Sequence, residues 1–133
     1  MNRIRATVTG IDRRESLHRV TLTGGNHEFT LLTLELGEEY GIGALVEIHF
    51  KSAHVSLAKN ISGQVSIANR LEATIVSLRE GELLAEIVLD SSVGRFFALL
   101  TAEAVKRMQL VAGDRVTALL KASDLYLSKA GEL

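Results

Sequence analysis

The chain repeats itself. Asn2-Arg3-Ile4-Arg5-Ala6-Thr7-Val8 returns as Asn69-Arg70-Leu71-Glu72-Ala73-Thr74-Ile75, and Phe29-Thr30-Leu31-Leu32-Thr33 returns as Phe97-Ala98-Leu99-Leu100-Thr101. Gly43, Val46 and Lys51 return as Gly113, Val116 and Lys121. The stretch from Lys51 to Lys59 returns as Lys121 to Lys129. The offset grows from 67 to 70, which places about three extra residues of the second copy between positions 90 and 112. Duplication of this kind marks pseudo-symmetric units that pack on one another. A unit of roughly 65 residues buries only about 60% of its unfolded surface and is marginal alone. Two copies are therefore expected to form one compact body. With 47% apolar residues and a mean hydropathy of +0.20, that body is also expected to oligomerise.

Inside each copy the hydrophobic period is two. Ile4, Ala6 and Val8 alternate with Arg3, Arg5 and Thr7, and Val46, Ile48 and Phe50 alternate with Glu47, His49 and Lys51. Val116, Ala118 and Leu120 alternate with Arg115, Thr117 and Lys121 in the same way. Such alternation belongs to half-buried strands. Gly24-Gly25-Asn26 and Glu80-Gly81 mark tight turns. Thr101 predicts the N-cap of a short helix over residues 102–110, with Val105, Met108 and Ala104 toward the core. The matching region of the first copy, residues 35–41, predicts a single turn. Each copy thus reads as three strands, a helix or turn, then two strands. The fold class expected is all-β with short helices: two tandem OB-like five-stranded Greek-key barrels, over residues 1–61 and 66–129. The linker, residues 60–67, is too short for the two to move independently.

Composition closes off several classes of function. Fifteen basic against sixteen acidic residues give no basic footprint for nucleic acid. The chain has no cysteine, which removes disulfides, zinc–thiolate sites and thiol catalysis. No apolar run reaches the length of a membrane span, and residues 1–9 are charged and alternating, unlike a signal peptide. A cytoplasmic location is expected. His18, His27, His49 and His54 have no metal-ligand spacing. Gly41-Ile42-Gly43 has no Walker lysine after it. No paired carboxylates or Ser/His/Asp arrangement stands out, so a binding protein is expected rather than an enzyme.

The stretch Val65-Ser66-Ile67-Ala68-Asn69-Arg70-Leu71, together with Leu119-Leu120-Lys121-Ala122-Ser123-Asp124-Leu125, resembles the Mop or TOBE domain found in molbindins, molybdate-responsive regulators and some transporter ATPases. The family signature is Ser-Ala-Arg-Asn at the start and a lysine followed by small residues near the end. The resemblance covers nearly the whole chain in two copies. Ala68 stands where the signature has arginine, and the first copy opens on Met1-Asn2 without the serine or the arginine. Lys51 and Lys121 match the lysine, with Ser52 or Ala122 after it.

The resemblance implies an oxyanion ligand, molybdate or tungstate, with no organic cofactor. The residues it singles out are Lys51, Ser52, Ser66, Ile67, Ala68, Lys121, Ala122 and Ser123. Their chemistry is suited to the task. A tetrahedral dianion offers acceptors alone, so a selective site presents ammonium, hydroxyl and backbone N–H donors and no carboxylate. Read without the family, a lysine at a strand end is a solvated charge, Ser66 a turn former, Thr33 and Thr101 helix caps or strand ends, and Asn2 and Asn69 side chains that tie down strand starts. The oxyanion site is expected at a module or subunit interface, where residues 66–68 meet either Lys51-Ser52 or Lys121-Ala122-Ser123, because a barrel this small is filled by its own side chains. A homo-oligomer is expected, a trimer as the resemblance to molbindins implies, or a dimer as in the regulators. No nucleic acid or membrane partner is expected. Storage, buffering or sensing of the anion is one function this implies. The other is a regulatory or oligomerisation module of a regulator or transporter ATPase whose anion site is weakened or lost.

Overall fold

The computed structural model describes residues 2–130. The first copy supplies β1 (Asn2–Arg14), β2 (Leu17–Gly24), β3 (His27–Thr33), β4 (Leu45–Phe50) and β5 (Ser56–Ala58). The second supplies β6 (Asn69–Glu80), β7 (Leu84–Ser91), β8 (Gly94–Thr101), the helix α1 (Ala102–Met108), β9 (Arg115–Leu120) and β10 (Tyr126–Lys129). The period-two pattern is realised directly. Ile4, Ala6 and Val8 are buried, as are Leu71, Ala73 and Ile75. Both long strands carry a bulge at the same repeat position, between Val8 and Gly10 and between Ile75 and Ser77. A bulge sharpens twist and lets a long strand curl around its core.

The strands form two five-stranded sheets, ordered β10-β4-β1-β2-β3 and β5-β9-β6-β7-β8. Each sheet takes four strands from one copy and its last strand from the other. Tyr126 pairs with His49 and Leu127 with Ile48, while Ser56 pairs with Leu119 and Leu57 with Ala118. The 1–61 and 66–129 boundaries thus follow the sequence repeat, and the sheets cross them. The corners after β4 and β9 explain the crossing. The 3-10 turns Ser52–His54 and Ala122–Asp124 pack on β8 and β3 respectively, each on the opposite copy. Buried Val55 and Leu125 anchor these corners, so the chain leaves each one already beside the other sheet.

The elements between the third and fourth strands differ in the two copies. Residues 35–41 contain a single 3-10 turn, Glu38–Tyr40. The second copy has α1, which accounts for the extra residues there. Thr101 caps it, its hydroxyl accepting from the Ala104 N–H at 3.1 Å, and Ala102 and Val105 are buried. The helix stops at Met108, two residues short of the expected end, because Gln109 turns left-handed at φ 53°. Lys59, just after β5, closes the helix from the other copy. Its ammonium donates to the Met108 and Gln109 carbonyls at 3.3 and 3.2 Å and pairs with Asp114 at 3.0 Å. Favourable charge at a helix C-terminus is a general stabiliser.

The two cores are continuous. Phe50 of the first copy meets Phe96 of the second edge-to-face, with ring centroids 5.9 Å apart, and both are fully buried.

Candidate functional site

Strand register decides which segments meet. In the second copy Asn69 opens β6 opposite Leu120, the last residue of β9. The pair is antiparallel, so the residues just before Asn69 must lie beside those just after Leu120. Ser66, Ile67 and Ala68 accordingly face Lys121, Ala122 and Ser123 across a cavity of about 300 Å³. Six of the eight residues singled out in the sequence line this one cavity. Lys51 and Ser52 do not. They follow Phe50, which pairs with Asn2, and so they belong to the opposite corner. There the Ser52 hydroxyl lies 3.5 Å from the Asn2 amide.

Asn69 holds the cavity's floor in place. Its carboxamide accepts from the Thr30 N–H at 2.8 Å and donates to the Thr30 carbonyl at 2.9 Å, like one more peptide unit of a ladder. It also donates to the Leu120 carbonyl at 3.1 Å. Asn2 does the same to Phe97, at 2.9 Å in both directions. Thr30 and Phe97 are related by the same offset as Asn2 and Asn69, 67 residues, so buried Phe29 corresponds to buried Phe96, one residue before the Phe97 with which the sequence repeat aligned it. Each asparagine thus ties its own strand start, as expected, and ties it to the third strand of the other copy. Both are buried, where an unpaired amide would be costly.

The lining combines the side-chain donors of Ser66, Lys121 and Ser123 with apolar Leu32, Ile67, Ala68 and Ala122. Lys121 and Ser123 are exposed, Ala122 is buried, and Ser66 and Ala68 are exposed at the strand start. Lys121 forms no ion pair or side-chain hydrogen bond among the described residues. No carboxylate lines the cavity. Asp124, the next residue along, lies 3.9 Å from His54. The remaining wall is Leu32 of β3, a residue the sequence did not single out. Leu31 and Leu32 read alike in one dimension. Only the packing of the Ala122–Asp124 corner on the opposite copy's β3 turns Leu32 toward the site.

Ser66 also lines a second cleft with Gly63, Gln64, Val65 and Arg70. Arg70 in turn lines a third, with His27, Glu72, Thr74, Asp90, Ser91, Ser92 and Arg115 among its walls. Two histidines have environments that disfavour their charged forms. Burial pushes His27 and His49 below the ordinary imidazole value, and neighbouring Glu28 and Glu47 offset this only in part. Among the described residues no cluster of three metal-ligating side chains occurs, and no helix is long and apolar enough to cross a membrane.

Fold and site together define a two-copy, strand-exchanged pair of small curled sheets with a corner between them where Ser66, Lys121 and Ser123 meet. Residues 65–127, the second copy, match the TOBE domain, and the first copy repeats its strand order. The fold of the whole chain is shared over 96% of its length with the cytoplasmic molybdate-binding protein ModG in a molybdate-bound crystal structure, at a TM-score of 0.91, 26% identity and 95% coverage of that chain. In sequence it is 32% identical over 121 residues to the molybdenum import ATP-binding protein ModC of Paramagnetospirillum magneticum. It is 29% identical over 133 residues to the molybdenum-pterin-binding protein MopA of Rhodobacter capsulatus. The chain spans 31% of the length of that ModC and 50% of that MopA.

Proposed function

We propose that the protein binds molybdate or tungstate without transforming it, in the cavity between residues 66–68 and the Lys121 corner, in the cytoplasm. The observation that carries this reading is the convergence of Ser66, Ile67, Ala68, Lys121, Ala122 and Ser123, with no carboxylate, on one cavity. A carboxylate would select a protonated anion such as hydrogen phosphate. A set made only of donors selects one that carries no proton at neutral pH. Each charge-assisted hydrogen bond contributes about 1.5–3 kcal/mol net, and four or five support roughly micromolar binding after ordering costs. Leu32 supplies an apolar wall. Tight hydration makes small oxyanions costly to press against such a wall, which favours the larger, less hydrated molybdate and tungstate.

The molybdate-bound ModG fold and the MopA similarity support this ligand class. A homo-oligomer, a trimer or a dimer, is part of the proposal, since exposed Leu34, Ile42, Leu45, Leu83 and Val111 leave apolar surface to cover. The Lys51–Ser52 corner, set against Asn2, is proposed as a second, weaker position.

Calorimetric titration with molybdate, tungstate, sulfate and phosphate tests the reading. Molybdate and tungstate should bind at roughly micromolar concentration and at least tenfold tighter than sulfate. Lys121→Ala should weaken them more than Lys51→Ala does, because it removes the ammonium that lines the cavity. Ala68→Arg should tighten both by adding a fork of donors at the strand start. Equal, weak heats for all four anions would leave a barrel whose role is structural.

A further inference from the structure

The cavity contains one formal positive charge, Lys121, for a ligand with two negative ones, and the chain as a whole has a net charge of −1. We propose that Arg70 is the site's second positive charge, acting through solvent from the mouth of the cavity in place of the guanidinium that Ala68 lacks. This rests on the anion-binding reading above and extends it to a residue outside the cavity's own lining.

The placement of Arg70 carries the argument. It lies two residues beyond Ala68, on β6, and is exposed. Arg70 and Ser66 are walls of one cleft, so Arg70 stands on the side from which residues 66–68 are approached. The cleft it forms with Gly63, Gln64, Val65 and Ser66 opens beside the anion cavity, and Ser66 is common to both. Arg70 is also common to the next cleft, whose wall includes Arg115. The groups Arg115, Arg70, Ser66 and Lys121 therefore make a continuous series of donors leading into the cavity.

Two carboxylates lie along this series, and one of them is neutralised. Asp90 is held by Arg95 at 2.8 and 3.2 Å, which keeps its carboxyl below the usual range. Glu72 is fixed by the Thr117 hydroxyl at 2.9 Å and keeps its charge, which Arg70 and Arg115 on the same cleft outnumber two to one. Arg70 and Arg115 form no ion pair or side-chain hydrogen bond among the described residues. A guanidinium used for structure would have a partner. These two are free to act on a visiting anion.

A charge acting across water is recognised by its sensitivity to salt. The screening length falls from about 10 Å at 0.1 M salt to about 3 Å at 1 M. A bond made directly to the anion is screened far less. The test is calorimetric titration of molybdate into the full chain and the series Arg70→Lys, Arg70→Gln and Arg70→Glu, at about 20 mM and about 500 mM ionic strength. At low salt Arg70→Lys should retain the parent affinity, since an ammonium carries the same charge. Arg70→Gln should weaken binding by roughly fivefold and Arg70→Glu by more, in the range expected of one unit charge acting on a dianion through water. At high salt the four proteins should converge to within about twofold. Lys121→Ala should remain weakened at both.

Identical affinities across the series at low salt would overturn the proposal. So would a loss in Arg70→Gln that persists at high salt, which would make Arg70 a direct ligand. Absence of molybdate binding by the parent would overturn the anion-binding reading itself, and is told apart by the parent titration alone.

Discussion

Asn69 shows how one side chain can be structural and set a site at the same time. It is buried, its carboxamide satisfies the backbone of Thr30 in both directions, and it ties β6 to the end of β9. Truncation would leave the Thr30 N–H and carbonyl without partners in a part-buried contact, at a cost of about 1–3 kcal/mol for each unsatisfied group. Asn69→Ala should therefore lower the stability measured by urea unfolding by about 3 kcal/mol. It should also weaken molybdate binding, because residues 66–68 lose the anchor that holds them over Lys121. A variant that keeps its urea midpoint would show that Thr30 finds other partners. That an asparagine ties the strand start was legible in the sequence. That its partner sits 39 residues away, on the other copy, was not, because a side-chain amide carries no mark of which backbone it will meet.

At the scale of the element, the exchanged strands are the informative ones. β10 is short and lies at a sheet edge, and side chains from β4 help to hold it. The His49 ring stacks on Tyr126 at 5.4 Å between centroids, and its Nε2 lies 2.6 Å from the Ser128 hydroxyl. Burial is the largest influence on His49 and lowers its proton affinity in the folded state. The unfolded chain binds a proton at the ordinary imidazole value, about 6.5. Between that value and the lower folded one, the unfolded state binds more protons, so stability falls as pH falls. Above about 6.5 both states are neutral at this residue and the effect vanishes. His27 contributes with the same sign. The melting temperature should drop from pH 7.5 to pH 5.5, and His49→Gln should flatten that slope in part. A slope unchanged by the substitution would assign the acid sensitivity elsewhere.

At the scale of the molecule, strand exchange and the Phe50–Phe96 contact make the two copies one folding unit. Neither sheet is complete without a strand from the other copy. Urea unfolding followed by far-ultraviolet circular dichroism and by tyrosine fluorescence should give one coincident transition. Two separated transitions would mean that the copies unfold independently. A fragment of residues 66–133 should lack the β5 place in its sheet and recover it only by taking a fifth strand from a second copy, eluting as a dimer or larger species. A folded monomer of equal stability would count against that account.

Much of this was written in one dimension. Period-two alternation from Ile4 to Val8 and from Leu71 to Ile75 determined the strands, since a strand's two faces see core and water in turn. The duplication determined that there would be two equivalent sheets, and Thr101 the start of α1. The residue types at Ser66, Lys121 and Ser123 determined which side chains could donate to an anion. The tertiary structure alone decided which corner Ser66 would face, because strand register is a relation between segments far apart in sequence. It decided that Leu32 would line the cavity and that Arg70 would stand beside its mouth. It also decided the exchange of β5 and β10. Both strands read the same in the sequence wherever they dock, and the choice between the two sheets is made by the direction in which the Ser52–His54 and Ala122–Asp124 corners send the chain.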